Sequence, residues 1–404
     1  MTRPLTLGRR QILATAAGAT LLSRPGRAAT PLRIGVINDM SGPYAAIAGR
    51  GSVVAAQMAI ADFGGSVLNR PVEVVSADHQ NKPDAGLAII REWFGPGNVS
   101  MVCDFANTPV ALGTQPMLTQ FQKIAIYTSV ASSVLTGKAC SPLSAHWAHD
   151  TYATTAPLIQ AMLAQGLDTF FFLVADYTFG DILAGDSANA VKAGGGKLLG
   201  TSRHPLASAD FASYLLSAQT SGAKVIVLCN GGTDTTNAYK QAVEFGLERK
   251  QTFVTPIMFL SDVHSLGIPT AHGLQFTQSW YWDQTEETRA WSKRYQSVAG
   301  TVPNDTHAAT YSAVLNYLRA IAAANSDAAQ PVMQSLKSLT ISDVFAKGGH
   351  VRQDGRMMFD RYLTRVKTPE QSKGEWDMLE VVRTIPGSTG FRPLADSECA
   401  FVKA

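Results

Sequence analysis

The chain has 404 residues, of which 46% are hydrophobic and 16% charged, and its formal net charge is +3. This length is enough for two lobes, and the composition is typical of a folded globular protein rather than a disordered one. Five of the 34 basic residues, but no acidic residue, lie in the first 28 positions, so the rest of the chain is slightly acidic. The charge therefore gives no reason to expect nucleic acid or an anionic membrane surface as a partner.

The N-terminal segment has the pattern of an export signal of the twin-arginine type. Arg9 and Arg10 precede an apolar run over residues 14–22, and small residues lead up to Ala28. The run is too short to span a bilayer as a stable helix, and no later stretch approaches a spanning length. We expect residues 1–28 to be a signal peptide cleaved after Ala28, followed by a periplasmic protein that does not insert directly into the membrane.

The four cysteines fall into two pairs by their surroundings. Cys103 and Cys229 lie in apolar, strand-like runs, whereas Cys140 and Cys399 lie in polar, turn-rich segments. An oxidising compartment favours pairing of the two exposed residues, so we expect a Cys140–Cys399 disulfide, with four unbonded thiols as the alternative. No Cys-x-x-Cys or Cys/His spacing suggests a metal site.

Short apolar runs alternate with longer alanine-rich segments of helical period. This rhythm predicts an α/β fold with doubly wound parallel sheets that carry helices on both faces. We predict strands over residues 32–37, 72–77, 99–105, 124–127, 169–175, 197–201, 225–229, 252–259 and 274–282. We predict helices over residues 45–63, 85–94, 151–164, 181–193, 214–221, 233–245, 286–299, 307–324 and 332–339, with a strand-rich tail over 351–366 and 375–382.

The loops that follow the strands are the first candidates for a binding site, because open parallel sheets bind ligands beyond the carboxyl ends of their strands. Capping of the next helix explains the polar residues in these loops equally well. For one of the two aromatics after the fifth strand, Tyr177 and Phe179, core packing is as good an explanation as ligand contact. Trp280, Tyr281 and Trp282 alternate faces on the extended segment 278–283, so at least one should face a cleft between lobes and one the core. The candidates are Tyr44, Phe105, Asn107, Thr108, Thr128, Ser129, Tyr177, Phe179, Asn230, Trp280 and Trp282.

Signatures of catalysis and cofactor binding are missing from the sequence. His146 and His149 share a spacing that suits one helix face, but no third ligand accompanies them, and we expect Asp150 to cap the next helix instead. The glycines at 194–196 lack the pattern of a phosphate loop, and no Gly-x-Ser-x-Gly or Gly-x-Gly-x-x-Gly motif occurs. We therefore expect no metal, no cofactor and no enzymatic activity.

The order of several short motifs resembles the periplasmic solute-binding proteins of branched-chain amino acid ABC importers, a type I periplasmic binding fold. These motifs are Ile34-Gly35-Val36 with Met40 to Pro43, Asn107-Thr108, Leu135 to Lys138, Asp176 to Gly180, Asp210-Phe211 and Glu244 to Gly246. The resemblance implies two lobes joined by three crossover strands and closing over one ligand. We place the first lobe at residues 29–149 plus 280–350 and the second at 150–279 plus 351–404.

The resemblance also implies site residues. The first-lobe contacts of the family fall near Ala106, Asn107, Ser129 and Ala131, where hydroxyls and backbone N–H groups would hold a carboxylate. Its crossover aspartate falls on Asp150 and its second-lobe aromatic on Phe179. The glutamate that receives an α-ammonium in the family falls near Asp262, where this chain has no glutamate, although Asp262 or Asp234 could replace it.

These features lead to a functional hypothesis. We expect the binding component of an ABC importer, which captures a small carboxylate, either an amino acid or an aromatic or hydrophobic acid, and delivers it to a membrane permease. A periplasmic sensor subunit is the first alternative, and a secreted α/β enzyme is the second.

Overall fold

The computed structural model describes residues 1–2 and 30–402. The expected signal peptide and its cleavage site involve residues 3–29, which lie outside the described part of the chain. None of the helices in the described part is both long and apolar enough to cross a membrane.

The first sheet has six strands in the order β2-β3-β1-β4-β5-β6. Its central strand β1 is buried along almost its whole length and pairs in parallel with β3 on one side and β4 on the other. Helices on both faces cover these apolar strands, which is why their sequences read as continuous hydrophobic runs. The elements are β1 (Leu32–Asn38), α1 (Gly49–Phe63), β2 (Ser66–Val67), β3 (Arg70–Asp78), α2 (Pro83–Phe94), β4 (Val99–Asp104), α3 (Thr108–Phe121), β5 (Ile124–Tyr127) and β6 (Ser144–His146), with a 3-10 helix at Ser133–Thr136.

The second sheet has four parallel strands in the order β10-β9-β7-β8. The middle strands β7 and β9 are almost fully buried, whereas β8 lies at an edge and is mostly exposed. The elements are α4 (Thr151–Ala164), β7 (Thr169–Ala175), α5 (Thr178–Ala193), β8 (Lys197–His204), α6 (Ala212–Thr220), β9 (Val225–Cys229), α7 (Thr233–Glu244), β10 (Thr252–Val254), α8 (Leu260–Leu266) and α9 (Ile268–Ala271), with a 3-10 helix at Leu247–Arg249.

The remaining chain adds a small antiparallel sheet, β11-β14-β15, and returns three helices to the first sheet. Among these helices, α11 packs on α1 and β4, so this part of the chain covers the first sheet rather than the second. The elements are β11 (Gln275–Gln278), α10 (Glu286–Ala299), α11 (Asp305–Ala324), α12 (Ala329–Ser338), β12 (His350–Val351), β13 (Met357–Met358), β14 (Arg361–Val366), β15 (Leu379–Ile385) and α13 (Gly387–Gly390), with a 3-10 helix at Leu394–Asp396.

The predicted α/β fold with parallel sheets is confirmed, and the differences are local. The strand predicted over 252–259 ends at Val254, because the following residues turn into α8 at Leu260. The strand predicted over 274–282 ends at Gln278, and α1 begins at Gly49 rather than residue 45. Strand β6 was not predicted, since its three residues are too few to show a period.

Two buried arginines hold the segments that connect the sheets. Arg356 is 1% exposed and its guanidinium lies 3.1 Å from the Asp150 carboxylate. Arg361 is fully buried and donates to the Ala153 carbonyl and to the Thr277 hydroxyl. Buried charges are tolerated when they are paired and hydrogen-bonded, so this network fixes the positions of the three connecting segments relative to one another.

The C-terminal tail runs back from the small sheet to the first sheet. Cys140 and Cys399 form a disulfide bond, with their Cα atoms 5.6 Å apart. They are the two cysteines in polar surroundings, whereas Cys103 and Cys229 are buried and unbonded. On its way the tail places Phe391 over the Arg356 guanidinium, 4.6 Å from it. The tail therefore ties the second half of the chain to the first.

Candidate functional site

A cleft lies where the loops after the strands of the first sheet meet those of the second. Its internal volume of about 30 Å³ has room for only about one or two water molecules, so the two sets of loops lie close together across it. The cleft brings together eight of the candidate residues and adds five others. Its lining consists of Tyr44, Ile47, Ala106, Asn107, Thr108, Ser129, Val130, Ala131, His149, Tyr177, Phe179, Ile257 and Phe259.

The loop after β4 forms one side of the cleft in an unusual backbone conformation. Asp104, Phe105 and Ala106 have φ values of 84°, 82° and 42°, a region that non-glycine residues seldom adopt. The conformation is held by a hydrogen bond from the Phe105 N–H to the Ile37 carbonyl (2.6 Å) and by one from the Ala106 N–H to Ser129 Oγ (2.9 Å). Strain of this kind persists where surrounding contacts impose it, which often happens at functional sites.

Asn107 acts as the cap of α3. Its side-chain oxygen accepts a hydrogen bond from the Val110 N–H at 2.9 Å, and its amide donates to the side chain of Asn81 at 2.5 Å. Asn107 therefore has the helix-capping role that the sequence allowed, and it also lines the cleft. By capping the third helical residue, it leaves the N–H of Thr108 unused.

Several backbone N–H groups of the lining have no acceptor among the described residues, and those of Thr108 and Ala131 are two of them. Thr108 begins α3, a helix of 14 residues whose N-terminal end favours negative charge. Together with the hydroxyls of Thr108 and Ser129, this side of the cleft has the chemistry to hold a carboxylate.

The opposite side of the cleft is mainly apolar. Phe179 lies at the start of α5, and Ile257 and Phe259 lie in the segment between β10 and α8. The hydroxyl groups of Tyr44 and Tyr177 bond to each other across the cleft. Burial raises the pKa of both tyrosines, so both hydroxyls stay protonated near neutral pH.

The two sides also touch at the mouth of the cleft. The Thr233 N–H donates to the Pro43 carbonyl at 3.4 Å. Gly232, with φ of 60°, lies so close to Pro43 that a Cβ atom there would overlap the proline carbonyl oxygen. Glycine is therefore needed at this position both for its backbone conformation and for the close approach of the two loops.

His149 forms part of the cleft lining on the segment that leads into α4. The side chain is 3% exposed and its ring meets the Phe259 ring at a centroid distance of 5.3 Å. Burial, with a contribution from Arg361, lowers the pKa of His149 to about 3. The imidazole is therefore neutral at physiological pH.

Seven candidate residues do not line the cleft, and for four of them packing or local bonding is the reason. Phe105 packs against Tyr127 in the first core, and Thr128 bonds to Thr310. Asn230, directly after β9, is hydrogen-bonded to His204 and Thr235. Asp150 caps α4 through the Ala153 N–H at 2.7 Å, as expected, and also binds Arg356.

The other three lie around the connecting segments. Asp262 accepts from the Phe259 N–H at 2.9 Å and so caps α8 instead of facing the cleft. Trp280 is buried and donates to the Val344 carbonyl, and Trp282 donates to the Trp376 carbonyl. The expectation that at least one of Trp280, Tyr281 and Trp282 faces the cleft does not match the described lining, which contains none of the three.

Five lining residues were not among the candidates: Ile47, Val130, His149, Ile257 and Phe259. Apolar residues in loops carry no sequence pattern that separates a ligand contact from core packing. His149 had a usable signal, since it stands next to the helix cap Asp150 in the segment predicted to connect the lobes.

The described lining contains no aspartate, glutamate, lysine or arginine. Within residues 1–2 and 30–402 there is also no cluster of three or more His, Cys, Asp and Glu side chains suited to a metal ion. The cleft is thus an uncharged pocket with hydrogen-bond donors on one side and aromatic and aliphatic groups on the other.

Comparison with known proteins gives a consistent result. A family model described as "Periplasmic binding protein" matches residues 31–375. A crystal structure of a periplasmic binding protein from Burkholderia mallei is 43% identical, covers 93% of this chain and 100% of its own, and has a TM-score of 0.91. A branched chain amino acid ABC transporter periplasmic ligand-binding protein from Burkholderia xenovorans is 38% identical, with coverage of 92% and 99% and a TM-score of 0.82.

A curated relative, the Leu/Ile/Val-binding protein homolog 6 of Brucella melitensis, is 29% identical over 245 residues. The match spans 59% of this chain and 61% of the length of that relative.

Proposed function

The chain belongs to the periplasmic binding protein family, and we propose that it captures a small hydrophobic or aromatic carboxylate for an ABC importer. The observation that carries this proposal is the division of the cleft. Unused N–H groups and hydroxyls lie on one side, and aromatic and aliphatic side chains lie on the other. A carboxylate with an apolar body satisfies both.

The carboxylate would lie at the first-lobe loops. The N–H groups of Thr108 and Ala131 and the hydroxyl of Ser129 are donors of the kind that hold anions without a full positive charge. The helix dipole of α3 adds to their effect. This arrangement agrees with the contacts that the resemblance implied at Ala106, Asn107, Ser129 and Ala131.

The body of the ligand would lie against Phe179, Ile257 and Phe259. An α-amino acid would also bring an ammonium group, which in a buried site needs a carboxylate or several acceptors. Asp262, the residue nearest in sequence to the glutamate of the resembling family, is used as a helix cap, and the described lining offers no other carboxylate. This favours an acid without an α-ammonium, although proteins similar to this chain are named for branched-chain amino acids.

We propose that binding is coupled to closure of two lobes, divided at residues 29–149 plus 280–350 and 150–279 plus 351–404. The contacts of α11 with α1 and β4 support the assignment of 280–350 to the first lobe. Contacts such as that between Tyr44 and Tyr177 would form only in the closed state. A ligand that touches both lobes then shifts the equilibrium toward closure.

Delivery to a membrane permease completes the proposal, together with export by the N-terminal signal and release into the periplasm. A permease would recognise the closed form, in which the loops around Pro43 and Gly232 meet. This step is inferred from the family and from the proposed closure.

A thermal-shift screen followed by titration calorimetry tests the proposed function. The protein is incubated with benzoate, phenylacetate, 4-methylpentanoate, leucine, phenylalanine and leucinamide. We expect one of the three acids without an ammonium group to raise the melting temperature and to bind with a defined stoichiometry of one. Binding of leucine or phenylalanine with no response to the acids would contradict the proposed ligand class, and no response to any carboxylate would contradict the function.

A further inference from the structure

His149 has a ring nitrogen that no described group uses. The Nδ1 atom is enclosed and has no hydrogen-bond partner, no described group bonds to Nε2, and the residue lines the cleft. A side chain that is 97% buried loses free energy when its polar atoms stay unpaired. If another group occupies the Nδ1 side, Nε2 is the atom left for a partner that enters the cleft.

The charge state of His149 determines what this partner can be. Burial disfavours a positive charge on the ring, and the nearby Arg361, His146 and Arg356 disfavour it further. A neutral imidazole has one nitrogen that donates and one that accepts a hydrogen bond. Which of the two nitrogens acts as the acceptor depends on the group that lies next to the other nitrogen.

Asp305 is the group that faces Nδ1. Its Oδ2 atom lies 4.0 Å from Nδ1 and also accepts from the Ser279 N–H at 3.1 Å, while Oδ1 has no described partner. A carboxylate on this side favours the hydrogen on Nδ1, which leaves Nε2 as the hydrogen-bond acceptor of the ring. The other lining groups around the ring, such as Phe259, provide no competing hydrogen bond.

The cleft then offers a ligand several hydrogen-bond donors but also an acceptor at His149. The hydroxyls of Tyr44 and Tyr177 are bonded to each other, and the free N–H groups of Thr108 and Ala131 require an acceptor on the ligand. His149 Nε2 instead requires a donor on the ligand. A carboxylate without any further polar group would leave this acceptor unpaired.

We propose that His149 is a specificity-determining residue, which selects carboxylates that carry a hydroxyl or another hydrogen-bond donor by accepting that hydrogen at Nε2. This inference rests on the proposed function and narrows its ligand class. Asp305 is the positioning residue, because it acts on the ligand only through the imidazole.

The test compares acids that differ in the donor alone. Titration calorimetry at pH 7.5 uses benzoate, the three hydroxybenzoate isomers and the three fluorobenzoates, in which fluorine adds similar bulk without a hydrogen to donate. We expect one hydroxybenzoate to bind at least tenfold more tightly than benzoate and than its fluoro counterpart. The same titrations are repeated with His149→Leu and His149→Gln.

The variants separate the hydrogen bond from the shape of the pocket. In His149→Leu the preference for the hydroxyl over fluorine should fall below twofold, whereas His149→Gln, which keeps an acceptor, should retain at least a threefold preference. Thermal denaturation shows whether His149→Leu folds. If it does not, the role of His149 is decided by the ratio of hydroxybenzoate to fluorobenzoate affinity in the wild type and in His149→Gln. Equal binding of hydroxy and fluoro acids by the wild type, or an unchanged preference in His149→Leu, overturns the role of His149.

Failure of this inference is distinguishable from failure of the proposed function. If aromatic acids bind without regard to the hydroxyl, the proposed function stands and only the role of His149 is lost. If none of the acids in either screen binds, the proposed ligand class is wrong, and the selection by His149 is overturned with it.

Discussion

The two sides of the cleft are built on different principles. The first-lobe side consists of strained loop backbone and a capped helix, so its polar groups are fixed by hydrogen bonds to the protein itself. The second-lobe side consists of side chains such as Phe179 and Phe259, which contribute buried apolar area. With the proposed ligand in the cleft, the first side would fix the position of its carboxylate, whereas the second would stabilise the closed state around its apolar body.

The largest effect is expected where the two sides meet. Gly232→Ala should weaken ligand binding by about 3 kcal/mol, because a Cβ there overlaps the Pro43 carbonyl oxygen and holds the lobes apart. Calorimetry with the acid identified in the screen measures the effect. The matched control is Gly222→Ala, which has a similar φ of 68° but open space around the Cβ position, so it imposes the backbone strain alone.

If Gly222→Ala lost as much affinity as Gly232→Ala, backbone strain and not contact between the lobes would explain the result. The view that the two sides of the cleft must meet for tight binding would then lose its support. Small-angle scattering of both variants with ligand adds a second readout, since only Gly232→Ala should stay expanded at saturating ligand.

The apolar side is tested next by Phe179→Ala. Removal of this ring should weaken binding of an aromatic acid by about 2 kcal/mol, since apolar area and ring contacts at the closed interface are lost. Calorimetry measures the affinity and thermal denaturation measures the stability. Phe245→Ala is the control, because that ring is 53% exposed and lies outside the described lining.

A result in which Phe179→Ala changes the melting temperature but not the affinity would assign the ring to the core of the second lobe. Core packing was one of the two explanations that the sequence allowed for the aromatics at 177 and 179.

The polar side is tested by Ser129→Ala, with an expected loss of about 1–2 kcal/mol in binding free energy. The hydroxyl both lines the cleft and accepts from the Ala106 N–H, so its removal loosens the loop that carries the donors. Titration of a carboxylate and of the corresponding amide separates these roles. The carboxylate should lose more than the amide, because hydrogen bonds to a charged acceptor are stronger.

Equal losses for acid and amide would place the charged end of the ligand elsewhere. Ser41→Ala serves as the control, since its exposed hydroxyl bonds to Asp78 outside the described lining.

The sequence was a good guide to the first side and a poor guide to the second. Strand–loop–helix rhythm locates the loops after β4 and β5, because regular elements leave a period and a capping residue such as Asn107 marks where a helix starts. Ile257 and Phe259 lie in a segment read as strand, and nothing in apolar loop residues shows which surface they contact. Trp280 and Trp282 were candidates because they lie on an extended aromatic segment, yet the connecting segments use them for packing and hydrogen bonds to carbonyls.

Asp262 shows the limit of transferring a position from a family. The resemblance placed near it the protein carboxylate that receives the ammonium group of the ligand. In this chain the Asp262 side chain instead accepts from the Phe259 N–H and is 4% exposed. Local bonding of this kind depends on where a helix begins, and the sequence prediction placed a strand there. The second side of the cleft is therefore apolar at the position where an ammonium partner was considered.

The smallest expected effect concerns the pH dependence that follows from this burial. Burial raises the pKa of Asp262 to about 7, whereas the unfolded carboxyl titrates near 4. Between these values the folded protein holds a proton that the unfolded chain releases, so the contribution of this group to stability falls as the pH rises from about 4 to about 7. Asp262→Asn stays neutral and keeps an acceptor for the Phe259 N–H. Its free energy of unfolding relative to the wild type should therefore increase by about 1 kcal/mol from pH 5 to pH 6.

Urea denaturation at both pH values measures this difference, and Glu92→Gln is the control at an exposed position. A constant difference across the range would mean that Asp262 is ionised at pH 5, as expected of a carboxylate with a cationic partner. The predicted rise instead favours a protonated Asp262 that cannot serve as a counter-ion at acidic pH, which leaves the first side of the cleft as the place where charge is recognised.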